Sequence, residues 1–545
     1  MLVLLVALAT LLGWLPARAA GPALRVADIN TTGGGPFIPN NSSSPRGLTT
    51  IGSTLFFSAD DGSSGRELWK SDGTDTNTQR VKNINPGGAS SSPGELTDLN
   101  GTPVFTATNV VSGTELWRSD GSANGTVVVQ DINPAPGASS NPADLTVSNG
   151  ALFFSADDGA NGRELWKTDG VSGAVMVKDI FSTPGAASNP SDLTDVHGTL
   201  FFAATGAVSD TELWKSDGTI TGTLQVKDIN TGLVGPPGSN PAQLTNVHGA
   251  LFFSADDGVN GVELWKSDGT VTNTLLIKDI NSTFPGATSN LANLTSVGGR
   301  LFFTANDGAH GVELWASDGT LAGTLMLKDI HLGAGDSSPA NLTNVAGTLF
   351  FTANDGIHGI ELWRSDGTPA GTVLVKDIYP GAPDSAPGSL ADVNGTLLFS
   401  ANDGVAGREL WKSRGSAATT VQVQNIAPGA GDSDPAGFTI MGTDVFFSAG
   451  DDTAGNELWS IPIAVLNYAP TASNQTVATA LNTPLNGTLT AADPEGSPLT
   501  FSIVANGSKG VVVITNAATG AFTYTPNTGA AGGDRFTFMF NDGLL

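Results

Sequence analysis

The sequence predicts an all-β protein: a β-propeller of about nine four-stranded blades, followed by a C-terminal Ig-like β-sandwich. The triplet Glu-Leu-Trp occurs nine times at spacings of 48 to 51 residues, and a period near fifty is typical of propellers, solenoids and arrays. The 70 glycines and 30 prolines favour short strands joined by turns. Runs such as Leu349–Phe351 are apolar on consecutive residues, so both faces of such a strand must be covered.

Each repeat contains four segments that we interpret as the four strands of one blade. In the seventh copy they lie around 343–345, at 348–353, at 359–367 and at 373–378. A blade of this length packs both faces against its neighbours, and radial repetition limits exposed sheet edges. The Pro-, Gly- and Ser-rich connectors, such as 379–387, are expected to be extended surface loops.

The order of the segments predicts a ring closed by the N-terminal strand. The fourth-strand signature first occurs at Val26–Ile29, ahead of any Glu-Leu-Trp, and last at Val423–Ile426. The final triplet, Glu457–Trp459, is followed by no such strand. The first segment can therefore complete the ninth blade. The alternatives are an open solenoid, which needs polar capping units that the sequence lacks, a ring with one odd blade, or two smaller rings.

The repeat resembles the ELWxxDGT repeat of bacterial secreted proteins. The match is carried by Glu67, Leu68, Trp69 and the run Asp72–Thr74, and by the same positions in the other copies, over residues 25–463. The resemblance implies a repeat architecture and an exported location. It implies no reaction.

The N-terminus and the composition agree with export. An apolar run at 2–15, followed by Pro16 and small residues, predicts a signal peptide over residues 1–19, and no membrane span in the mature chain. The absence of cysteine excludes disulfides and thiolate metal sites. A net charge of −27 excludes nucleic acid and anionic membranes as partners. We expect a monomeric bacterial protein that is secreted or held at the cell surface.

The invariant residues of the repeat are expected to be structural. The Leu and Trp of the triplet should be core; the alternative is a ring of exposed aromatic rings that binds sugars. The glutamate should accept hydrogen bonds from backbone amides. Asp61, six residues before Glu67, is either a turn former or, with that glutamate, a calcium ligand. The Ser-Asp-Gly-Thr corner is similar to the Asp-box of sialidase-like propellers, but here the Trp precedes the Asp.

The tail from Asn467 resembles the Ig-like or cadherin-like tandem domain of bacterial adhesins. The resemblance is carried by segments at 493–496, 521–527, 534–538 and 541–543, and the domain is assigned to residues 467–545. In relatives such carboxylates bind calcium between domains. This implies a Ca²⁺ site, and its candidate ligands are Asp493, Glu495, Asp534 and Asp542. The match ends at Leu545 before the last strand of a sandwich, so the domain is expected to be incomplete and the natural chain to continue.

The sequence favours a non-enzymatic scaffold that binds an extracellular glycan, matrix component or protein in the manner of an adhesin. An active site is rarely copied nine times, and four of the five histidines occupy copied positions: His197 with His248, and His310 with His358. No cofactor other than Ca²⁺ is expected. The alternative is a polysaccharide hydrolase or lyase with its site at the propeller channel. That function requires non-repeated carboxylates, tyrosines or histidines at one mouth of the ring.

Overall fold

The computed structural model describes residues 2–4, 8–9, 23–32, 41–207, 210–231, 238–451, 453–493 and 497–542. Contacts divide the chain into two compact units, Ala23–Ser460 and Met1–Pro22 with Ile461–Leu545. Apart from the single-turn 3₁₀ helices Ala417–Thr419 and Ile463–Leu466, every regular element in the described part is a β-strand. None of the helices in that part is long and apolar enough to cross a bilayer. The cleavage point predicted after Ala19 lies outside the described residues.

The larger unit consists of nine antiparallel four-stranded sheets, which we number as blades 1 to 9. In blades 1 to 8 the strands are adjacent in chain order, from the innermost to the outermost. Their bounds are Arg46–Ile51, Thr54–Asp60, Arg66–Ser71 and Gln79–Lys82; Gly94–Leu99, Thr102–Asn109, Gly113–Arg118 and Val127–Gln130; Ala143–Ser148, Ala151–Asp157, Arg163–Thr168 and Ala174–Lys178; Ser191–Val196, Thr199–Thr205, Thr211–Ser216 and Leu224–Lys227; Ala242–Val247, Ala250–Asp256, Val262–Ser267 and Leu275–Lys278; Ala292–Val297, Arg300–Asn306, Val312–Ser317 and Leu325–Lys328; Ala340–Val345, Thr348–Asn354, Ile360–Ser365 and Val373–Lys376; Gly388–Val393, Thr396–Asn402, Arg408–Ser413 and Val421–Gln424.

Blade 9 is completed by the N-terminal strand, as the sequence predicts. Its first three strands are Ala436–Met441, Asp444–Asp451 and Gly455–Pro462, and Leu24–Ala27 pairs antiparallel with the third of them. Leu24 lies opposite Ser460 in this pairing. The predicted all-β propeller with a closing N-terminal strand is therefore confirmed.

The innermost strands form one closed ring. Each lies beside the innermost strand of the next blade, and that of blade 9 lies beside that of blade 1. At this last junction Thr439 Oγ1 donates a hydrogen bond of 3.0 Å to the carbonyl oxygen of Leu48. Val26 and Leu458 of blade 9 share a buried cluster with Phe57 of blade 1. An open solenoid and two smaller rings are thus both excluded.

Consecutive apolar residues in the second strands are buried on both faces of the blade. Leu349, Phe350 and Phe351 are 0 to 3% exposed. Phe350 belongs to a cluster with Phe399 and Trp411 of blade 8, whereas Phe351 packs in the cluster shared with blade 6. Each blade therefore forms a core with both neighbours, and burial of this apolar surface stabilises the ring.

The smaller unit contains a β-sandwich with its own core. The cluster is built around Phe501, Tyr524 and Phe538, and the last two are fully buried. The strands are Leu2–Leu4, Leu8–Ala9, Val477–Thr479, Leu485–Thr488, Thr500–Ala505, Gly510–Asn516, Ala521–Pro526 and Thr537–Asn541. They form two three-stranded sheets and one two-stranded sheet.

Candidate binding site at the channel

The glutamate of the repeated triplet forms a buried hydrogen-bonded clamp. In blade 7, Glu361 accepts hydrogen bonds from the amide nitrogens of Ile378 (2.9 Å) and Ser385 (3.0 Å), and from Ser385 Oγ (2.6 Å). Ser385 lies in the connector to blade 8, so the carboxylate fixes the path of the chain between blades. Burial raises the pKa of the Glu361 carboxyl, and these hydrogen bonds oppose the rise. The prediction that the glutamate accepts backbone amides is confirmed.

The serine of this clamp was not predicted from the sequence. The serine-to-glutamate bond recurs in eight blades, with blade 5 as the exception. A signal was available, because eight of the nine connectors carry Ser-x-Pro at nearly constant distance from the glutamate.

The tryptophans are core residues, as predicted, and not a sugar-binding ring. Trp363 is 5% exposed. Lys328 of blade 6 places its Nζ 5.7 Å from the Trp363 ring centroid and donates a hydrogen bond of 3.0 Å to the carbonyl oxygen of Thr372. The lysine thus joins consecutive blades through a cation–π contact and a hydrogen bond.

The loop aspartate ahead of the glutamate forms a turn. Asp61 Oδ1 accepts hydrogen bonds from the amides of Ser63 (2.9 Å) and Ser64 (2.7 Å). In blade 7 the equivalent Asp355 also accepts from His358 Nδ1 at 2.7 Å, and this hydrogen bond raises the pKa of the His358 imidazole. These geometries agree with the turn-former interpretation.

Among the tail candidates, Asp534 occupies a buried structural position. Its carboxylate accepts hydrogen bonds from the amides of Ser508 (2.9 Å) and Lys509 (3.0 Å) and from the Tyr524 hydroxyl (2.9 Å). Burial, followed by the hydrogen bond to Asp534, raises the pKa of Tyr524 to about 12. These bonds hold the loop before strand Gly510–Asn516 against the core.

The other tail candidates are not brought together with Asp534. Asp493 Oδ1 accepts a hydrogen bond of 2.7 Å from the amide of Ser497, and Asp542 Oδ2 accepts one of 2.5 Å from Asn467 Nδ2. Glu495 lies outside the described residues. The described carboxylates of this unit form no group of three with ligand atoms within 4.8 Å of one another. The Ca²⁺ site in the tail stays a prediction.

A second feature recurs in every blade, at the second residue of the innermost strand, which we call the ring position. All nine residues have φ between 49° and 71°, in the left-handed region, and the pairing with the second strand shifts register across them. Such a bulge re-aims a side chain. The ring positions are Gly47, Glu95, Asp144, Asp192, Gln243, Asn293, Asn341, Ser389 and Gly437.

The chemistry of the ring position changes in three consecutive groups. Blades 2 to 4 carry Glu95, Asp144 and Asp192, which we call the acidic sector. Blades 5 to 7 carry primary amides, and blades 8, 9 and 1 carry serine or glycine. Carboxylates and amides from blades 2 to 6 line one cavity of about 650 Å³, together with a Leu-Thr pair from each of the first four of these blades. This is the non-repeated cluster that the sequence analysis did not find.

Two of the three carboxylates are held by the next blade, and the middle one is not. Glu95 Oε2 accepts a hydrogen bond of 3.1 Å from the amide of Leu145, and Asp192 Oδ2 accepts one of 2.7 Å from the amide of Gln243. Burial, and then the charges of Glu95 and Asp192, raise the pKa of Asp144. Within the described structure no side chain or amide donates to the Asp144 carboxylate, so it is available to a ligand.

The side-chain amides of blades 5 and 6 each donate a hydrogen bond to a backbone carbonyl of the following blade or its connector. Gln243 Nε2 donates a hydrogen bond of 2.8 Å to the carbonyl oxygen of Leu291, and Asn293 Nδ2 donates one of 3.3 Å to that of Pro339. One N–H of each NH₂ group is thereby used, and each amide oxygen is an acceptor that a ligand can use. The cavity is therefore lined mainly by acceptors and suits a ligand that is rich in hydroxyl or ammonium donors.

Comparison with known proteins supports the assignment of the tail. A family model described as a bacterial Ig domain matches residues 467–544, which confirms the Ig-like tail. No curated protein matches the chain.

Several solved structures are similar at low identity. A computationally designed protein is 16% identical with a TM-score of 0.39, over 70% of this chain and 98% of its own. A puromycin hydrolase is 14% identical with a TM-score of 0.34, over 73% of this chain and 62% of its own. A prolyl endopeptidase structure is 12% identical with a TM-score of 0.35, over 74% of this chain and 61% of its own. Similarity at this level says nothing about activity.

Proposed function

We propose that this protein is a non-enzymatic scaffold, secreted or at the bacterial cell surface, that binds a polar extracellular ligand at the ring positions of blades 2 to 6. The location is supported by the match of the tail to a bacterial Ig domain and by the apolar run at residues 2–15. The tail then serves as a spacer or a further binding module.

The observation that carries the proposal is the conformation of Glu95 and Gln243. Neither residue is a usual turn former, yet both lie in the left-handed region, with φ of 49° and 57°. A left-handed conformation costs a non-glycine residue roughly 1–2 kcal/mol. Glycine removes this cost and occupies the same position in blades 1 and 9. Long polar side chains kept at a strained backbone position point to a functional role.

The acceptor-rich lining favours a neutral glycan or one that carries amino sugars. Sugar hydroxyl and ammonium groups donate to carboxylate and amide oxygens. The net charge of −27 disfavours an anionic polysaccharide. A protein ligand with an exposed basic segment is the other outcome that the test below distinguishes.

The test is a glycan array probed with the full chain and with a triple variant of the acidic sector, Glu95→Gln, Asp144→Asn and Asp192→Asn. We expect binding to neutral or amino-sugar glycans that weakens at least tenfold in the variant. The matched control is Asp120→Asn, Asp169→Asn and Asp217→Asn, which removes the same charge from exposed turns of the same three blades. Equal binding by both triple variants would contradict the proposed site. If the chain binds basic proteins but no glycan, the ligand is a protein with an exposed basic segment.

A second candidate function, hydrolysis of an extracellular polysaccharide, is favoured by the raised pKa of Asp144 between two further carboxylates. Glycosidases use one protonated and one ionised carboxyl group. If this function is correct, the wild type releases reducing sugar from a bound glycan, and Asp144→Asn abolishes release while binding persists. Binding without product release supports the scaffold.

A further inference from the structure

We propose that blade 4 contains a cation site, best matched to Ca²⁺, formed by Asp210, Glu212 and Asp228. An oxygen atom from each carboxylate lies within 4.8 Å of those of the other two. This is the one group of three such ligands in the part of the chain that the structure describes. The site shares no residue with the ring positions and does not depend on the proposed ligand.

Burial and missing partners point to a cation. Asp210 is 7% exposed and Glu212 is fully buried, and Asp210 Oδ1 is buried without a hydrogen-bond partner. No lysine, arginine or histidine of the described residues forms an ion pair with any of the three carboxylates. Buried carboxylates without a countercharge are strongly unfavourable, and a bound cation supplies that countercharge.

Asp210 is peculiar to blade 4. Every other blade has a glycine with φ between 68° and 78° at this position: Gly65, Gly113, Gly162, Gly261, Gly311, Gly359, Gly407 and Gly455. In blade 4 the loop closes differently, because the amide of Gly206 donates a hydrogen bond of 2.9 Å to the carbonyl oxygen of Asp210. Blade 4 therefore has an additional carboxylate, Asp210, beside the invariant Glu212 and beside Asp228, whose position is aspartate in most blades.

The donor set selects a hard cation. All three ligands are carboxylates, and Ca²⁺ is bound by oxygen ligands, with water completing its coordination. Glu212 already accepts hydrogen bonds through both oxygens, from the amide of Ser239 to Oε1 (2.8 Å) and from Ile229 and Ser239 Oγ to Oε2. A carboxylate oxygen has further lone pairs, so these bonds orient Glu212 without excluding a metal.

The experiment is a Tb³⁺ titration of the full chain with tryptophan excitation. Trp214 and Asp210 both lie beside Gly206: a Cβ atom on this glycine would be 3.5 Å from Trp214 Cζ2 and 3.7 Å from Asp210 Oδ1. The indole is therefore close enough to the carboxylate to sensitise a bound ion. We expect a saturable signal that Ca²⁺ displaces. In Asp210→Asn and in Asp228→Asn the affinity should fall at least tenfold.

Two controls keep the result interpretable. Asp217→Asn removes an exposed carboxylate from the same blade and should bind Tb³⁺ like the wild type. Near-UV circular dichroism without metal reports folding, and Asp228 is exposed, so its variant does not depend on core packing. A folded Asp228→Asn variant with unchanged Tb³⁺ affinity would overturn the proposal, as would a wild type that shows no sensitised emission.

Discussion

The clamp glutamate and the ring position both occur in all nine blades, but the glutamate keeps its side chain, whereas the ring position keeps only its backbone conformation. The clamp keeps one fully buried glutamate in every blade and, in every blade except blade 5, bonds it to a serine at the same connector position. The ring position keeps one backbone conformation and varies its side chain from carboxylate to amide to glycine. A residue required by every blade is invariant, whereas a residue presented to a ligand is free to differ. Comparing the nine blades with one another therefore distinguishes residues that hold the blades together from residues that can contact a ligand.

The largest effect should follow from breaking the clamp. In Glu361→Ala the amides of Ile378 and Ser385 and the Ser385 hydroxyl lose their acceptor inside the protein. Buried donors without partners cost about 1–3 kcal/mol each, so we expect the free energy of unfolding to fall by roughly 3–5 kcal/mol. Urea unfolding followed by tryptophan fluorescence measures this.

The control is Asp366→Ala, in an exposed turn of the same blade, which should change stability by less than about 1 kcal/mol. If the two variants are equally stable, the clamp is not what fixes the connector.

The clamp of blade 5 should respond to pH differently from the others. There Ser289 Oγ donates to the carbonyl oxygen of Val262, and Glu263 Oε1 is buried without a partner. Burial raises the pKa of Glu263 to about 7, above its ordinary value of 4.5. Because the pKa of Glu263 is higher in the folded than in the unfolded chain, proton binding by Glu263 stabilises the folded state. This contribution is fully present below about pH 4.5 and is lost as the pH rises through 7.

The test compares wild type with Glu263→Gln between pH 5 and 8. We expect the variant to gain relative stability across this range, by on the order of 2–3 kcal/mol, because the amide carries no charge to bury. A difference that does not change with pH would show that Glu263 ionises normally.

The smallest effect on stability should come from the ring position. Glu95→Gly relieves a left-handed glutamate, adds freedom to the unfolded chain and removes the bond to the amide of Leu145. These changes oppose one another, and we expect a net change within about 1 kcal/mol. Ligand binding on the array should nevertheless weaken. A loss of stability as large as that of the clamp variant would make Glu95 structural and remove the contrast between the two positions.

Much of the fold could be predicted from the sequence because its signals are local and repeated. The period gave the blade number, and the offset of Val26–Ile29 from the first triplet predicted the closing strand. The clamp serine was missed because the repeated Ser-x-Pro of the connectors marks a constant serine but does not show which group that serine bonds. Its pairing with the glutamate depends on how the connector folds back onto the blade.

The candidate site was harder to predict because its residues are ordinary ones. Glu95, Asp144 and Asp192 lie almost fifty residues apart, and only the ring places them side by side. The cation site has the same origin, since Asp228 reaches Asp210 through the pairing of the third and fourth strands of blade 4. Comparison of the repeats with one another, column by column, would have shown both Asp210 and the ring position as departures from the pattern.

Closure of the ring by the N-terminal strand is the central claim, and a cross-link tests it most directly. The chain has no cysteine, so Leu24→Cys with Ser460→Cys introduces a single pair at residues that lie opposite each other. Opposed residues in an antiparallel ladder have Cα atoms about 4.5–5.5 Å apart, within the range of a disulfide. Under mild oxidation we expect an intramolecular disulfide in most molecules, seen by mass spectrometry, and none in a control that pairs Leu24→Cys with Ser365→Cys of blade 7. Free thiols or only intermolecular cross-links in the Leu24–Ser460 pair would contradict a closed nine-bladed ring.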